Sequence, residues 1–234
     1  MAFLGVAHYV SAVGMKHAVT AVKIVGRPLV LADLAVTDVR FISCALAQFD
    51  DPSCGTIVVR DVELARCGAT SCSLHGVRFE HVTVDGLSVS GVGQLEACLF
   101  DRVTLRGRIG PVITTPPNPS LPAEVKQAFL REAEAYYRTV DWALDITAAE
   151  FSDADIYMVP GHLVRRDSET QALLRRDVIA AVPPEQLSPI ARIWADRFSA
   201  TPFDSLVAIA PRRSTRFRDY LRAIDELRRE GFAE

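Results

Sequence analysis

The feature of this sequence that most restricts its fold is a pair of apolar residues that recurs every five positions. In the segment VRFEHVTVDGLSVSGV, residues 77–92, the pairs are Val77 with Phe79, Val82 with Val84, and Leu87 with Val89. A five-residue step rotates the face of an α-helix by about 140°, and in a straight strand it moves the side chain to the opposite face. Neither a helix nor an uninterrupted strand can therefore keep all of these pairs on one side.

The same spacing extends over much of the first half of the chain. Eight pairs hold one phase from Ile57 to Val92, although the last of them joins Val92 to the polar Gln94. An earlier series runs from Leu29 to Leu46, and residues 47–56 separate the two series. A third fragment, shifted by one residue, pairs Cys98 with Phe100 and Val103 with Leu105.

Each pair is typical of a short strand with one face inward, so the chain must turn a corner between successive pairs. Four corners close a coil of about twenty residues, and stacked coils pair through parallel ladders around a shared core. Small and polar residues fall at the corner positions, among them His75–Gly76 and Asp85–Gly86, and glycine tolerates the dihedral angles of a sharp turn. The sequence therefore predicts a mainly β fold built as a parallel β-helix.

The units Cys44–Ala45–Leu46, Cys72–Ser73–Leu74 and Val77–Arg78–Phe79 resemble those of the pentapeptide-repeat family, which place Leu or Phe at the centre and a small residue two positions earlier. The resemblance covers residues 22–106 and implies a right-handed quadrilateral β-helix and a bacterial setting. The Asp or Asn that usually precedes the central residue is mostly missing here. The alternative fold is a β-sandwich or sheet of frequent short strands, but ordinary strands alternate by two without holding a five-residue phase this long.

The second half of the chain is predicted to be organised differently. The segment RIGPVITTPPNPSLP ends the β-helix of residues 1–110, because its prolines cannot continue a strand or a helix. Residues 111–141 then hold this loop and a helix capped by Ser120, whose apolar face is expected to pack on the β-helix. In residues 142–160 the five-residue phase returns, which predicts a further coil. Its pairs are Leu144 with Ile146, Ala149 with Phe151, and Ala154 with Ile156.

Residues 161–234 are predicted to form an α/β or helical region that caps the open end of the β-helix. Ser188 begins a helix that reaches about Phe198, with Ile190, Ile193 and Trp194 inward. Residues 206–210 form a short buried strand, and a last amphipathic helix ends at Gly231. Because exposed β-helix ends invite edge-to-edge association, such a cap has a structural purpose of its own.

Composition places the chain among ordinary soluble globular proteins, with 49% hydrophobic and 24% charged residues among 234. A formal net charge of −3 argues against nucleic-acid binding. The apolar start MAFLGVAHYVSAVGM has no basic segment before it and is interrupted by polar residues, so neither a secretory signal nor a membrane span is predicted. We expect a cytoplasmic protein with no membrane partner, in which the five cysteines are reduced thiols.

The residue types needed for metal, cofactor or acyl-transfer chemistry are present without the spacing that such sites require. Cys67 and Cys72 are predicted to point inward while His75 lies near a corner, so the three should not converge on a metal. The fragment Gly91–Val92–Gly93 lacks the lysine and helix of a phosphate loop, and no serine lies in a G-x-S-x-G motif. We predict no catalytic residue, no cofactor and no metal.

One polar stretch, VPGHLVRRDSETQ at residues 159–171, is the candidate interaction loop, since such loops can bind anions or partners. The other interpretation is a solvated loop whose own arginines pair with its acidic residues. The residues concerned are His162, Arg165, Arg166, Asp167 and Glu169.

Together these features favour a non-enzymatic interaction or scaffold protein whose partner is another protein, with homo-oligomerisation through either end as a further expectation. One alternative is a DNA-mimicking protein that binds type II topoisomerases such as gyrase, as some pentapeptide-repeat proteins do. That role depends on an acidic rod, whereas residues 1–110 hold ten basic and ten acidic residues. A second alternative is an enzyme with a site near His162, Arg165 and Asp167, where a polar cluster adjoins a domain junction.

Overall fold

The chain is mainly β, and the computed structural model describes residues 17–234. Residues 1–16, which the predicted β-helix included, lie outside the described residues. The strands are β1 (Ala18–Thr20), β2 (Lys23–Val25), β3 (Leu29–Thr37), β4 (Arg40–Ile42), β5 (Ala45–Ala47), β6 (Ile57–Thr70), β7 (Ser73–His75), β8 (Val77–Ser90), β9 (Gly93–Glu96), β10 (Leu99–Asp101), β11 (Val103–Ile109), β12 (Val112–Thr115), β13 (Leu144–Asp145), β14 (Ala149–Phe151), β15 (Ala154–Ile156), β16 (Val164–Arg165), β17 (Gln171–Arg175) and β18 (Ser205–Ile209). The α-helices are α1 (Ala123–Tyr137), α2 (Arg176–Ala180), α3 (Pro189–Arg197) and α4 (Phe217–Arg229), and 3-10 turns cover Pro52–Cys54, Gly161–Leu163 and Pro184–Gln186.

Sixteen of these strands form two parallel sheets, as the prediction of a mainly β fold with parallel ladders required. The larger sheet has ten strands and contains the order β1-β4-β6-β8-β11-β13-β16. The smaller sheet has six strands in the order β15-β12-β9-β7-β5-β2. Most pairs join strands that are 20 to 28 residues apart, so that Val62 lies opposite Val82, Thr83 lies opposite Thr104 and Leu29 lies opposite Ile57.

Left-handed backbone conformations recur every five residues and explain the spacing of the apolar pairs. Between Asp61 and Gly91 every fifth residue has a positive φ, and non-glycine residues such as Arg66 (φ 51°) and Ser71 (φ 53°) adopt this conformation as well as glycines. A residue with positive φ turns an extended chain sharply, so each short strand keeps its apolar pair inward. The predicted corners at Gly76 and Gly86 have φ values of 63° and 76°.

Most inward residues of the two sheets belong to one apolar cluster, and Val36, Val39 and Cys67 form a smaller one. Ile57, Val77 and Ile109 are fully buried within the larger cluster, and Cys98 and Phe100 of the shifted fragment are buried there too. The prediction that Val92 points inward is wrong, because its side chain is 56% exposed. Leu95 instead lies in register with Leu74, so the one-residue shift falls within residues 92–95.

A column of charged side chains runs along one corner of the stacked strands. Arg66 lies 2.7 Å from Asp38 on one side and experiences the charge of Asp85 on the other. Asp85 in turn lies 3.0 Å from Arg106. These four residues, here called the charge column, alternate in sign along the stacking direction.

Helix α1 interrupts the strands and packs against them with the face that the sequence predicted. Its buried residues are Ala128, Phe129, Ala133 and Tyr137. The predicted cap is wrong, because Pro122 occupies the N-cap position and no side chain donates or accepts there. Ser120 is instead held in a turn, where its N–H donates to the side-chain oxygen of Asn118 at 3.0 Å.

After this helix the chain returns to the two parallel sheets. In the larger sheet, β13 and β14 both pair with β11, so that Leu144 lies opposite Val103 and Ala149 lies opposite Gly107. In the smaller sheet, β15 pairs with β12. The segment predicted as a further coil therefore adds one strand each at three successive positions of the existing ladders.

The C-terminal region builds a separate apolar cluster on the last of these strands. The antiparallel pair β17 and β18 packs with α2, α3 and α4, and Tyr157 and Met158 extend the cluster towards β15. Ser188 caps α3 through the N–H of Ala191 at 3.4 Å, and β18 is buried along its whole length. The predicted inward orientation of Ile193 is wrong, since its side chain is 46% exposed.

Candidate functional site

In the candidate interaction loop, the 3-10 turn at Gly161–Leu163 holds His162 at the surface. Its backbone N–H donates to the hydroxyl of Ser205 at 3.2 Å, and its ring Nδ1 lies 3.2 Å from the same oxygen. Ser205 is buried at the start of β18. His162 therefore joins the loop to the C-terminal sheet.

The two arginines of the loop have different surroundings. Arg165 is exposed and stacks over the ring of Trp142, with 4.0 Å between its guanidinium carbon and the ring centroid. Its guanidinium also lies 3.9 Å from the Asp145 carboxylate. Arg166 is partly buried and donates to the carbonyls of Gly161 and Val164, each at 3.3 Å. Burial lowers the pKa of its guanidinium from the ordinary value.

The acidic residues of the loop pair with an arginine from a distant part of the chain. Asp167 accepts from the Thr170 hydroxyl at 2.6 Å and from the backbone N–H of Glu169 at 3.0 Å. Arg212 reaches both carboxylates, at 2.7 Å for Asp167 and 3.2 Å for Glu169. Burial alone would raise the pKa of Asp167, but these hydrogen bonds outweigh it and hold that pKa below its ordinary value.

Apart from Asp167 and Glu169, which share Arg212, the structure gives the residues of the loop separate partners and does not bring the set together. The interpretation that the loop's own arginines pair with Asp167 and Glu169 is wrong, because Arg212 makes both ion pairs. Arg212 lies 45 residues beyond Asp167, and no periodicity connects the two positions. His162 and Asp167 hold the loop against the C-terminal region.

A different surface, which the sequence analysis did not single out, follows the outward positions of one row of strands. Val30 lies opposite Val58, Val58 lies opposite Arg78, and Arg78 lies opposite Leu99. The residues on either side of Val58, Ile57 and Val59, are buried, so alternation points Val58 outward. We call this set of four outward residues the outer row.

Helix α1 covers only one half of the outer row. Glu132 of the helix accepts from Arg78 at 2.8 Å, and the Arg78 guanidinium stacks over Tyr136 at 4.8 Å from the ring centroid. The Tyr137 hydroxyl accepts from the backbone N–H of Phe100 at 3.3 Å, beside Leu99, which is 7% exposed. At the other half of the row Val30 is 58% exposed.

The buried polar groups beneath α1 are less completely paired than those of the loop. Among residues 17–234, the Nε of Arg78 and the hydroxyl of Tyr136 are buried without a hydrogen-bond partner. Burial raises the pKa of the Tyr136 phenol well above its ordinary value, so this group stays neutral. The covered half of the outer row thus combines a stacked cation with an apolar helix face.

One signal in the sequence could have found the outer row. The residue between the two inward members of a pair points outward, and most such positions are polar or small, for example Glu63, Ser73 and Thr83. Val30 and Val58 are β-branched apolar residues at this position. Their apolar character is unusual for a solvent-facing position of a sheet, and it marks a surface that another element can cover.

The cysteines and His75 occupy sites without the geometry of a metal centre. His75 is 1% exposed beneath α1, where its Nδ1–H donates to the Gln48 carbonyl at 2.5 Å and its Nε2 accepts from Asn118 N–H at 3.1 Å. Burial lowers the pKa of His75 and raises that of Cys98 to about 12. Cys44, Cys67, Cys72 and Cys98 are free, and no group of three metal-ligating side chains occurs among the described residues.

Comparisons of the chain with family models, with curated proteins and with solved structures find no match in any of the three. Within residues 17–234 the helices are too short or too polar to cross a membrane.

Proposed function

We propose that the stacked strands wind as a right-handed quadrilateral β-helix similar to that of the pentapeptide-repeat family. The recurrence of positive φ every fifth residue supports four-cornered coils, since each corner redirects the chain onto the next row of strands. The parallel pairing of successive rows supports stacking of these coils. Right-handedness follows from the strong preference of crossover connections between parallel strands.

On this scaffold we propose a non-enzymatic protein–protein interaction, with the exposed half of the outer row as the contact surface. The proposal rests on the difference between the two halves of the outer row. Helix α1 covers Arg78 and Leu99, whereas Val30 in the other half is 58% exposed. Helix α1 covers Leu99 by placing an apolar face on a flat row of strand residues. Exposed Val30 and partly exposed Val58 offer the same kind of surface, so the partner that fits is an amphipathic helix of another protein.

The charges around the outer row favour a role in binding an apolar surface over a role as an acidic mimic of DNA. Carboxylates along the corners are matched by cations, as in the charge column. A DNA mimic requires uncompensated negative charge, so topoisomerase binding is the weaker interpretation. The enzyme alternative is weaker because His162, Arg165 and Asp167 are held by separate partners. The free thiols are consistent with the proposed cytoplasmic location.

The test is capture of partners from the native cells with the tagged full-length chain and two matched variants. Val30→Asp places a charge in the outer row, whereas Val92→Asp places one at a similarly exposed valine, 56% against 58%, in a different part of the structure. We expect a stoichiometric protein that the wild type and Val92→Asp retain and that Val30→Asp loses, with equal melting temperatures for all three proteins.

Two results would contradict the proposal. If Val30→Asp retains the same partner as the wild type, the outer row is not the contact surface. If the wild type captures no protein at physiological salt, the interaction function itself fails, and the loop at residues 159–171 becomes the place to look for a small ligand.

A further inference from the structure

His75 lies beneath helix α1, at a point where three segments of the chain meet. It is the last residue of β7 and is 1% exposed. Its ring packs against Phe49, from the segment that follows β5, and against Phe129 of α1, with 4.8 Å and 5.2 Å between the ring centroids. A titratable side chain is therefore enclosed between the strands and the helix that covers them.

The hydrogen bonds of this ring require a neutral imidazole. The backbone N–H of Asn118 can only donate, so the Nε2 of His75 that accepts from it at 3.1 Å carries no proton. The proton lies on Nδ1, which donates to the backbone carbonyl of Gln48 at 2.5 Å. A second proton on Nε2 would place two donors against each other. Protonation of His75 and its hydrogen bond with Asn118 therefore exclude each other.

Asn118 connects this ring to the start of α1. Its side-chain nitrogen donates to the Glu96 carboxylate at 3.4 Å, and its side-chain oxygen accepts from the N–H of Ser120 at 3.0 Å. Lys126, near the start of the helix, donates to the carbonyl of Pro119 at 3.1 Å. Loss of the Asn118 contact with His75 would therefore displace the loop that leads into α1 and the first part of the helix.

The charges around His75 compensate an imidazolium only in part. Among residues 17–234, the charge that acts on His75 is that of Glu96, which lies opposite it in β9. This charge favours protonation, but burial outweighs it and lowers the pKa of His75. On the helix, Lys126 is turned towards the Pro119 carbonyl, and the charge of Arg131 acts on Asp51.

We propose that His75 is a pH-sensitive latch, which holds α1 on the strands as a neutral imidazole and releases the helix when it is protonated. Release breaks the hydrogen bond with Asn118 and separates Phe129 from the histidine ring. It also uncovers Arg78 and Leu99, the half of the outer row that α1 covers. The accessible part of the outer row is therefore larger at low pH than at neutral pH.

The direction of the pH effect follows from the closed form, which excludes the second proton. The closed form is stable above the ordinary pKa of histidine, about 6.5, and loses stability as pH falls from there through the lowered value. Over this range the ratio of released to closed helix rises by up to about tenfold per pH unit. The latch acts on α1 without any partner, so it can hold even if Val30 contacts no other protein.

The test is hydrogen exchange of the full-length chain at about pH 7.5 and about pH 5.0, with protection corrected for the intrinsic exchange rate at each pH. In His75→Gln the side-chain amide can still bond Gln48 and Asn118 but cannot take up a proton. The matched control is His81→Gln, which removes an exposed histidine that lies 3.2 Å from Asp61.

We expect the protection of α1 in the wild type and in His81→Gln to fall about tenfold at the lower pH, and in His75→Gln to fall less than about twofold. Protection of β17 and β18 should not change. Nitrogen-15 NMR of the histidine rings tests the wild type directly, whether or not His75→Gln folds. The imidazolium form of His75 should appear together with the loss of protection in α1.

The proposal is overturned if the protection of α1 in the wild type is the same at both pH values, or if His75→Gln loses as much protection as the wild type. It is also overturned if His75 becomes an imidazolium while α1 stays protected, or stays neutral while α1 loses protection. Equal losses in α1, β17 and β18 would show unfolding of the whole chain and no latch.

Discussion

The two ends of the stacked strands differ in how their apolar interiors are closed. At the C-terminal end, Ile156 and Val164 are 2% and 3% exposed, and the cluster around β17, β18 and the last three helices lies next to them. At the N-terminal end of the described residues, Leu29 and Leu31 remain partly exposed. The repeating strands therefore do not bury their terminal apolar residues by themselves. The burial of these residues depends on what covers the last layer.

The largest expected effect comes from equivalent leucines at the two ends of one row. Leu144 and Leu34 both face inward along the ladder that joins β3, β6, β8, β11 and β13. We expect Leu144→Ala to lower the free energy of unfolding by about 3 kcal/mol. Because Leu34 is only partly buried, we expect Leu34→Ala to cost about 1 kcal/mol. Urea unfolding measures both values, and equal costs for the two substitutions would contradict the prediction.

A smaller effect is expected where the C-terminal region meets the strands. A Cβ at Gly161 would lie 2.7 Å from the backbone carbonyl carbon and oxygen of Leu206, so Gly161→Ala must push the 3-10 turn away from β18. We expect a loss of about 2 kcal/mol, with faster hydrogen exchange in β17 and β18 than in β6. The matched control is Gly91→Ala. Its Cβ has no atom within 4 Å, so the substitution adds only the strain of a non-glycine residue at a φ of 84°. Equal destabilisation by both substitutions would show that the close contact is unimportant.

The packing of α1 predicts a pH dependence of stability. Burial lowers the pKa of His75, partly opposed by its hydrogen bond to Gln48 and by the charge of Glu96. Because the folded state holds the neutral imidazole, this contribution to stability is present above the ordinary pKa of about 6.5 and is lost as pH falls through the lowered value. We expect the free energy of unfolding to decrease below about pH 6.5 in the wild type, and His75→Gln to flatten this slope. An unchanged slope in the variant would assign the effect to other groups.

The smallest effect concerns corners occupied by alanine. Ala97 lies in the middle of the strands with φ 49°, and Ala21 lies near the N-terminal edge with φ 58°. Glycine relieves the cost of this conformation, so we expect Ala97→Gly to raise the free energy of unfolding by about 0.5–1 kcal/mol, and Ala97→Val to lower it. Ala21→Gly should give a smaller gain, because its layer lies at the edge of the sheets. Thermal unfolding of the three variants measures the differences.

The sequence predicted the local repeating structure well because a five-residue phase and its corners are properties of neighbouring residues. The positive φ of Gly76 and Gly86 and the inward positions of Val77 and Val82 follow from that phase. Features that depend on distant segments were not predictable in the same way. His75 is buried because α1, which begins 48 residues later, covers it, and Asp167 pairs with an arginine 45 residues away.

The candidate loop was found as a polar stretch, but its role could not be read from its composition. Charged residues between apolar segments are common both in binding loops and in loops that attach one region to another. The partners of the charged residues decide between these roles. His162 contacts the Ser205 hydroxyl and Arg165 stacks on the Trp142 ring, and both partners lie outside the loop. The outer row was overlooked because valine is also common at the inward positions of this repeat, although the five-residue phase places Val30 and Val58 outward.

The charge column limits how a chain of this kind can lengthen during evolution. Asp38, Arg66, Asp85 and Arg106 alternate in sign from one paired strand layer to the next, so duplication of a single layer would place two like charges next to each other. Duplication of two successive layers preserves the alternation. Related chains that differ in length should therefore differ more often by even than by odd numbers of layers wherever such a column is present.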